Sequence, residues 1–180
     1  EALLPNVEKI ILGGAMAFPF LLEMGYDVAS IDPFKGRGGR DKEMADERRI
    51  ARRIIDNYSQ KIVVPKLIVG IDRAVIDLKQ RAPIPVDFVM RDMLITDLRQ
   101  DLEAGNYRTI FFNGTFGAYE AELGGFVEGT NEVLSFMSEQ TEKGSITVPG
   151  GGDTITVLEK SLRKTEAGRN VRFTHETTGG

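Results

Sequence analysis

The chain contains no cysteine. Disulfide staples, thiolate nucleophiles and cysteine-based zinc sites are excluded together, and the absence suits a reducing compartment. Tryptophan is missing as well, and 23 Lys plus Arg stand against 27 Asp plus Glu, for a net charge of −4. That balance disfavours nucleic-acid binding, which needs a basic surface for the phosphates. No apolar run approaches the ~20 residues of a membrane helix. No charged stretch followed by an apolar one opens the chain, so no secretory signal is read, and a cytoplasmic location or a reducing organelle is expected. His175 is the single histidine. With no cysteine or second histidine to join it, a metal role is not expected of it.

What is present is an ordinary globular mixture. The 180 residues are 41% apolar and 28% charged, about one domain's worth of chain with enough apolar surface for a core. The sequence starts at Glu1, with Ala2-Leu3-Leu4-Pro5 reading as the tail of a helix, and stops at Gly179-Gly180. A segment of a larger protein is expected.

Short apolar, β-branched runs recur at Lys9–Leu12, Lys61–Val64, Leu67–Ile71, Asp87–Met90, Thr109–Phe112, Ser145–Val148 and Val171–Thr174. Runs of this kind predict strands buried on both faces, as in parallel sheets. Helical patterns lie between them. Met44, Ala51, Ile54, Ile55 and Tyr58 share one face of a helix over Asp41–Ser59. Asp92–Ala104 and Thr130–Gln140 also read as helices, the latter with Val133, Leu134 and Met137 inward. Ile155, Leu158 and Leu162 form a stripe on a helix starting near Thr154. The alternation predicts a three-layer α/β/α sandwich with a mainly parallel, Rossmann-like sheet. The stretch Asp32–Arg40 is a loop by composition, and Lys35–Arg53 carries eight basic and four acidic residues. A solvated helix face with i, i+4 pairs is the simpler reading of that region, and a partner-docking or anion-facing surface the other.

The glycines are placed informatively. Leu12 runs into Gly13-Gly14, Phe112 into Asn113-Gly114-Thr115-Phe116-Gly117, Pro149 into Gly150-Gly151-Gly152-Asp153-Thr154, and Thr178 into Gly179-Gly180. At the carboxyl ends of parallel strands, glycine lets backbone N–H groups approach an anion, and the next helix adds its positive end. Gly150, Gly151 and Gly152 would cradle a phosphate. Asp153 either caps the following helix or holds a divalent cation, and the two roles are compatible through different oxygens. No Gly-x-x-x-x-Gly-Lys-Ser/Thr is present, which excludes a P-loop.

Taken in order, these motifs resemble the C-terminal, nucleotide-binding domain of the phosphoglycerate kinase family. Val7–Leu21 through Gly25-Tyr26 resembles its strand, Gly-Gly-Gly-Met-Ala turn, helix and Gly-Tyr, and Phe112–Glu120 its Trp-Asn-Gly-Pro-Met-Gly-Val-Phe-Glu loop. Phe126 to Gly129-Thr130 is similar to its Phe-Ala-x-Gly-Thr, Gly150–Thr154 to its Gly-Gly-Gly-Asp-Thr, and Thr174–Gly180 to its Ser-His-Val-Ser-Thr-Gly-Gly-Gly. The resemblance implies reversible phosphoryl transfer between 1,3-bisphosphoglycerate and ADP, with ADP or ATP and magnesium as cofactors. It implies that Gly13 and Gly14 border the adenine, Asn113 contacts the phosphates, Glu120 binds the ribose and Asp153 holds magnesium. It also implies that Thr154 lies by the phosphates and that the Gly179-Gly180 backbone faces the transferred phosphoryl group. The 3-phosphoglycerate would be held by an N-terminal domain outside this chain. Arg91–Ile95 lacks the glycine and proline of the family's Leu-Asp-Ile-Gly-Pro, with Leu94 at the glycine. Met90 stands where the adenine wall has glycine, Thr115 replaces a proline, and Val64–Leu67 has lost an acidic residue. Those departures favour a second expectation, a domain of the same family that has lost turnover and serves as a structural or interaction module.

Overall fold

The structure is a computed structural model, and it describes residues 2–28, 31, 40–85, 87–120 and 125–178, with 40–43 as backbone only. The loop expected over Asp32–Arg40 and the terminal Gly179 and Gly180 lie outside the described residues, apart from the backbone of Arg40. The chain divides into two compact units, Glu1–Met90 and Arg91–Gly180. The architecture is mixed α/β, with small, separate sheets.

In the first unit, strand β1 (Ile10–Ile11) pairs in parallel with β2 (Ile62–Val63). Between them come helix α1 (Ala17–Glu23) and helix α2 (Arg40–Tyr58). Helix α1 starts after Gly14 and Met16 in a single turn of 3₁₀ helix and tolerates Pro19 because its first turn needs no N–H there. It buries Ala17, Phe18 and Leu21. It ends where Gly25 takes φ +81°, and the Tyr26 N–H reaches back to the Leu21 carbonyl at 3.0 Å, a glycine-dependent stop. Helix α2 turns Ala51 fully inward. Its outer face carries ion pairs, Arg49 with Asp46 three residues away and Arg52 with Asp56 four away, and its Arg48 also reaches Glu23 of α1 at 2.7 Å. Strands β3 (Leu67–Gly70) and β4 (Val75–Asp77) form an antiparallel hairpin. The sequence did not announce β4, since its turn passes through Arg73 at φ +67° rather than through glycine.

The second unit holds a β-α-β repeat with a single crossover helix. Strand β6 (Thr109–Asn113) leads through helix α4 (Glu128–Glu142) to strand β7 (Ile146–Gly150), which lies parallel to β6 with Thr109 opposite Ile146 and Asn113 opposite Gly150. A parallel neighbour needs such a helical crossover. Helix α5 (Gly152–Lys160) follows at once. Leu134, Leu158 and Leu162 form the buried centre, with Phe112, Ile155, Val171 and Phe173 against it.

Three expectations are corrected here. The helix expected over Asp92–Ala104 is confined to α3 (Arg99–Glu103) and a preceding 3₁₀ turn, because Met90–Leu94 forms strand β5. Asp92 is buried in that strand, its carboxylate accepting the Met93 and Gly129 N–H groups at 2.8 and 3.1 Å. The strand expected over Val171–Thr174 is an extended segment joined to β7 by one bridge, Gly150 to Thr177. Pro149 has no N–H to give, and the Thr147 N–H goes to the Thr174 side chain at 3.0 Å, so no ladder runs along it. Phe111 is not sheet core. It is 63% exposed, because β6 alternates exposed and half-buried residues instead of burying both faces.

Candidate functional site

Because Asn113 and Gly150 are register partners, β6 and β7 end side by side, and both run straight into glycine bends. Gly114 takes φ +102° and Gly151 φ +88°, a backbone region that glycine enters without cost. The extended segment 174–178 arrives at the same end. The Thr177 N–H donates to the Pro149 carbonyl at 3.2 Å, and its carbonyl accepts the Gly151 N–H at 2.9 Å. Two of the four expected bends, those after Phe112 and Pro149, thus lie at one strand end, and the segment leading to the fourth reaches the same end, with Gly179 and Gly180 themselves outside the described residues. Gly13 and Gly14 belong to the first unit, where Gly13 is extended and Gly14 is buried at φ +59°. An apolar groove of about 550 Å³ adjoins that turn, lined among others by Leu12, Met16 and Phe20. Of the large side chains near that turn, Phe18 is fully buried core and Met16 is 69% exposed.

The cradle is tight where glycine matters. A Cβ on Gly151 would stand 2.6 Å from the Asn113 Oδ1, so the Asn113 amide lies directly over the bend. A Cβ on Gly152 would meet nothing within 4 Å, which leaves open space above the first turn of α5. The first i to i−4 bond of α5 runs from the Ile155 N–H to the Gly151 carbonyl at 3.1 Å. No side chain caps the helix, so the amides of its first turn are the donors a helix start offers to an anion.

Asp153 therefore does not act as the N-cap. Gly151 holds that position, and the Asp153 Oδ1 instead accepts the Tyr119 hydroxyl at 2.7 Å. That bond, with burial and the charges of Asp153 and Glu120 behind it, pushes the Tyr119 phenol up to about 12. Thr154 is fully buried, and its hydroxyl is engaged with Gly114, accepting the N–H at 2.9 Å and donating to the carbonyl at 2.7 Å. Glu120 is exposed, and its carbonyl accepts the Gly125 N–H at 3.0 Å. Among the described residues no group of three or more His, Cys, Asp or Glu gathers to hold a metal. A cation at Asp153 would draw on one carboxylate with phosphate oxygens and water, which is how magnesium is commonly held on nucleotides. The Tyr119 contact and the part of Thr177 had no sequence signal, since both depend on how separate loops meet. No helix among the described residues is long and apolar enough to cross a membrane.

Known proteins share this chain's sequence pattern and fold. The family model described as phosphoglycerate kinase matches residues 1–180. Phosphoglycerate kinase of Mycobacterium avium (strain 104) is 31% identical over 186 residues, covering all of this chain and 40% of the relative. That of Thermosipho africanus (strain TCF52B) is 30% identical over 191 residues, covering 99% of this chain and 42% of the relative. The crystal structure of phosphoglycerate kinase from Pyrococcus horikoshii OT3 superposes on 98% of this chain and 41% of its own with a TM-score of 0.71 at 22% identity. At that identity the likeness speaks for the fold alone. The chain spans about 40% of the length of the curated relatives it matches. With the family model covering every residue, the chain belongs to the phosphoglycerate kinase family.

Proposed function

We propose that this chain is the C-terminal, nucleotide-binding part of a phosphoglycerate kinase, holding ADP or ATP with magnesium for phosphoryl transfer between 1,3-bisphosphoglycerate and ADP. The observation that carries the reading is the register of Asn113 with Gly150, which sets two glycine bends and the uncapped start of α5 at one strand end. Gly150, Gly151 and Gly152 keep side chains away from the phosphates, and the first amides of α5 donate to them. The Asn113 amide, over the Gly151 bend, is a further donor. Glu120 is the ribose partner, and Gly13 and Gly14, in the first unit, are the adenine-bordering residues that the resemblance implies. Thr154 works by tying the Gly114 loop to α5. The resemblance assigns the transferred phosphoryl group to the Gly179-Gly180 backbone. Asp153 holds the magnesium, which when bound neutralises charge on the phosphates, the main requirement of this chemistry. The 3-phosphoglycerate is held by parts of the enzyme outside the matched 40%. The reading carries with it the mainly parallel three-layer sandwich, of which β6-α4-β7 is one repeat.

Calorimetric titration with ADP and ATP, with and without magnesium, tests this. Saturable binding that magnesium tightens, and that Asp153→Ala loosens only when magnesium is present, is the expected result. No binding at millimolar nucleotide would overturn it and leave a family domain with a structural role.

A further inference from the structure

The loop after β6 carries a hydroxyl that the proposed nucleotide site has not used. Tyr119 donates it to the Asp153 Oδ1 at 2.7 Å, joining residues 34 apart in sequence. The approach is from a fixed base. The Ala118 N–H donates to the Arg91 carbonyl at 2.8 Å, the Phe126 N–H to the Ala118 carbonyl at 3.0 Å, and the Gly125 N–H to the Glu120 carbonyl at 3.0 Å. The loop's other end is held as well, by the Thr154 hydroxyl on Gly114. Tyr119 therefore stands on a braced segment, and its bond restrains a carboxylate that is otherwise exposed on the first turn of α5.

A carboxylate offers about four acceptor positions. The phenol takes one of them on Oδ1, and Oδ2 has no protein partner among the described residues. A neutral donor also leaves the negative charge of Asp153 uncancelled, where a lysine or arginine would oppose an incoming cation. We propose that Tyr119 is a positioning residue for a divalent cation at Asp153, fixing the carboxylate through one oxygen and leaving the other for the cation of a metal–nucleotide. Groups that orient a metal's ligands act this way, and losing one typically costs about 10–100-fold in metal affinity. Without the hydroxyl, the Asp153 side chain regains rotational freedom that binding must then remove. The inference rests on the nucleotide reading above and adds to it a residue that touches neither nucleotide nor metal.

Four forms of the 180-residue chain separate the possibilities: wild type, Tyr119→Phe, Asp153→Asn and the double variant, each titrated calorimetrically with Mg-ADP and with metal-free ADP. Tyr119→Phe keeps the ring, and an unchanged Tm confirms that its loop is intact. The expected result is about tenfold weaker Mg-ADP binding, metal-free ADP binding within about twofold, and no further loss when the change is added to Asp153→Asn. Equal losses with and without magnesium, or an undiminished loss in the Asp153→Asn background, would overturn the positioning role. If wild type gains from magnesium and Tyr119→Phe matches it, the positioning role alone falls. If wild type gains nothing from magnesium, the cation site falls and the positioning role with it.

Discussion

Thr154 and Gly114 hold each other in both directions: one hydroxyl accepts the Gly114 N–H at 2.9 Å and donates to the Gly114 carbonyl at 2.7 Å. A single buried side chain thereby satisfies both backbone groups of the residue at which β6 gives way to its loop. It does so from α5, the helix that follows β7. The two strand ends are thus fastened to each other beyond the last bond of their ladder, and the spacing of the cradle is set by a threonine rather than by glycine.

Thr154→Val tests that fastening with almost no change of shape. The Gly114 N–H and carbonyl would lose their shared partner inside the protein, and an unsatisfied buried group costs about 1–3 kcal/mol. The urea midpoint should fall accordingly, while Thr154→Ser, which keeps the hydroxyl, should stay near wild type. Equal midpoints for the valine and serine variants would show that the bond is not needed.

Gly151 and Gly152 are neighbours with opposite requirements. Gly151 sits at φ +88°, and an added Cβ would lie 2.6 Å from the Asn113 Oδ1. Gly151→Ala should lose about 1–3 kcal/mol from a positive-φ backbone that side chains rarely adopt, and the Asn113 amide resonances should move. Gly152 opens helix α5 with nothing within 4 Å of an added Cβ. Gly152→Ala should leave stability unchanged or raise it by up to about 1 kcal/mol. It should nonetheless weaken nucleotide binding, because its methyl group enters the space proposed for phosphate.

Where the sequence was readable, the signal was local. Leu134 and Met137 on α4, and Leu158 on α5 with Leu162 in the 3₁₀ turn just after it, are spaced as one helix face and are buried as that spacing predicts. Glycine after an apolar run marked the ends of β6 and β7 correctly. The unreadable parts were settled by distant chain. Asp92 looks like the start of a helix, yet it is fully buried in a strand because Gly117 and Gly129 leave it room: a Cβ on either would come within 2.7 Å of its carboxylate. Phe111 reads as core until the strand beside it is known. The bond between Tyr119 and Asp153 depends on two loops whose meeting no spacing encodes.

The contrast between Phe111 and Leu158 gives a direct check on the second unit's core. Leu158 is fully buried between Leu134 and Leu162, and Leu158→Ala should cost about 2–5 kcal/mol from lost burial and the cavity left behind. Phe111, at 63% exposure, should tolerate Phe111→Ser within about 1 kcal/mol, as most surface changes do. Denaturant unfolding of the two variants distinguishes them. Similar losses would mean that the exposed face of β6 is covered in solution.

Asp92 makes stability depend on pH. Burial is the main cause that lifts its carboxyl from 3.8 to about 6; the Gly129 and Met93 N–H groups pull it back, and the charges of Glu128 and Glu132 push it up further. Both glutamates are on α4. Glu132 is itself held by the Ile95 N–H and the Thr96 hydroxyl, at 2.7 Å each. The unfolded chain releases the Asp92 proton near 3.8, whereas the folded chain keeps it until about pH 6. Folding therefore takes up a proton between those values. The stability contributed by protonated Asp92 is complete below about pH 4 and is lost as pH rises through 6, and a gap of this size corresponds to about 3 kcal/mol. Other carboxylates titrate in the same range, so the informative quantity is the difference between wild type and Asp92→Asn. Urea midpoints measured from pH 4 to 7 should show wild type losing ground against the variant across that window. Parallel profiles would mean that the Asp92 carboxyl ionises alike in the folded and unfolded chain, with the Gly129 and Met93 amides fully compensating its burial.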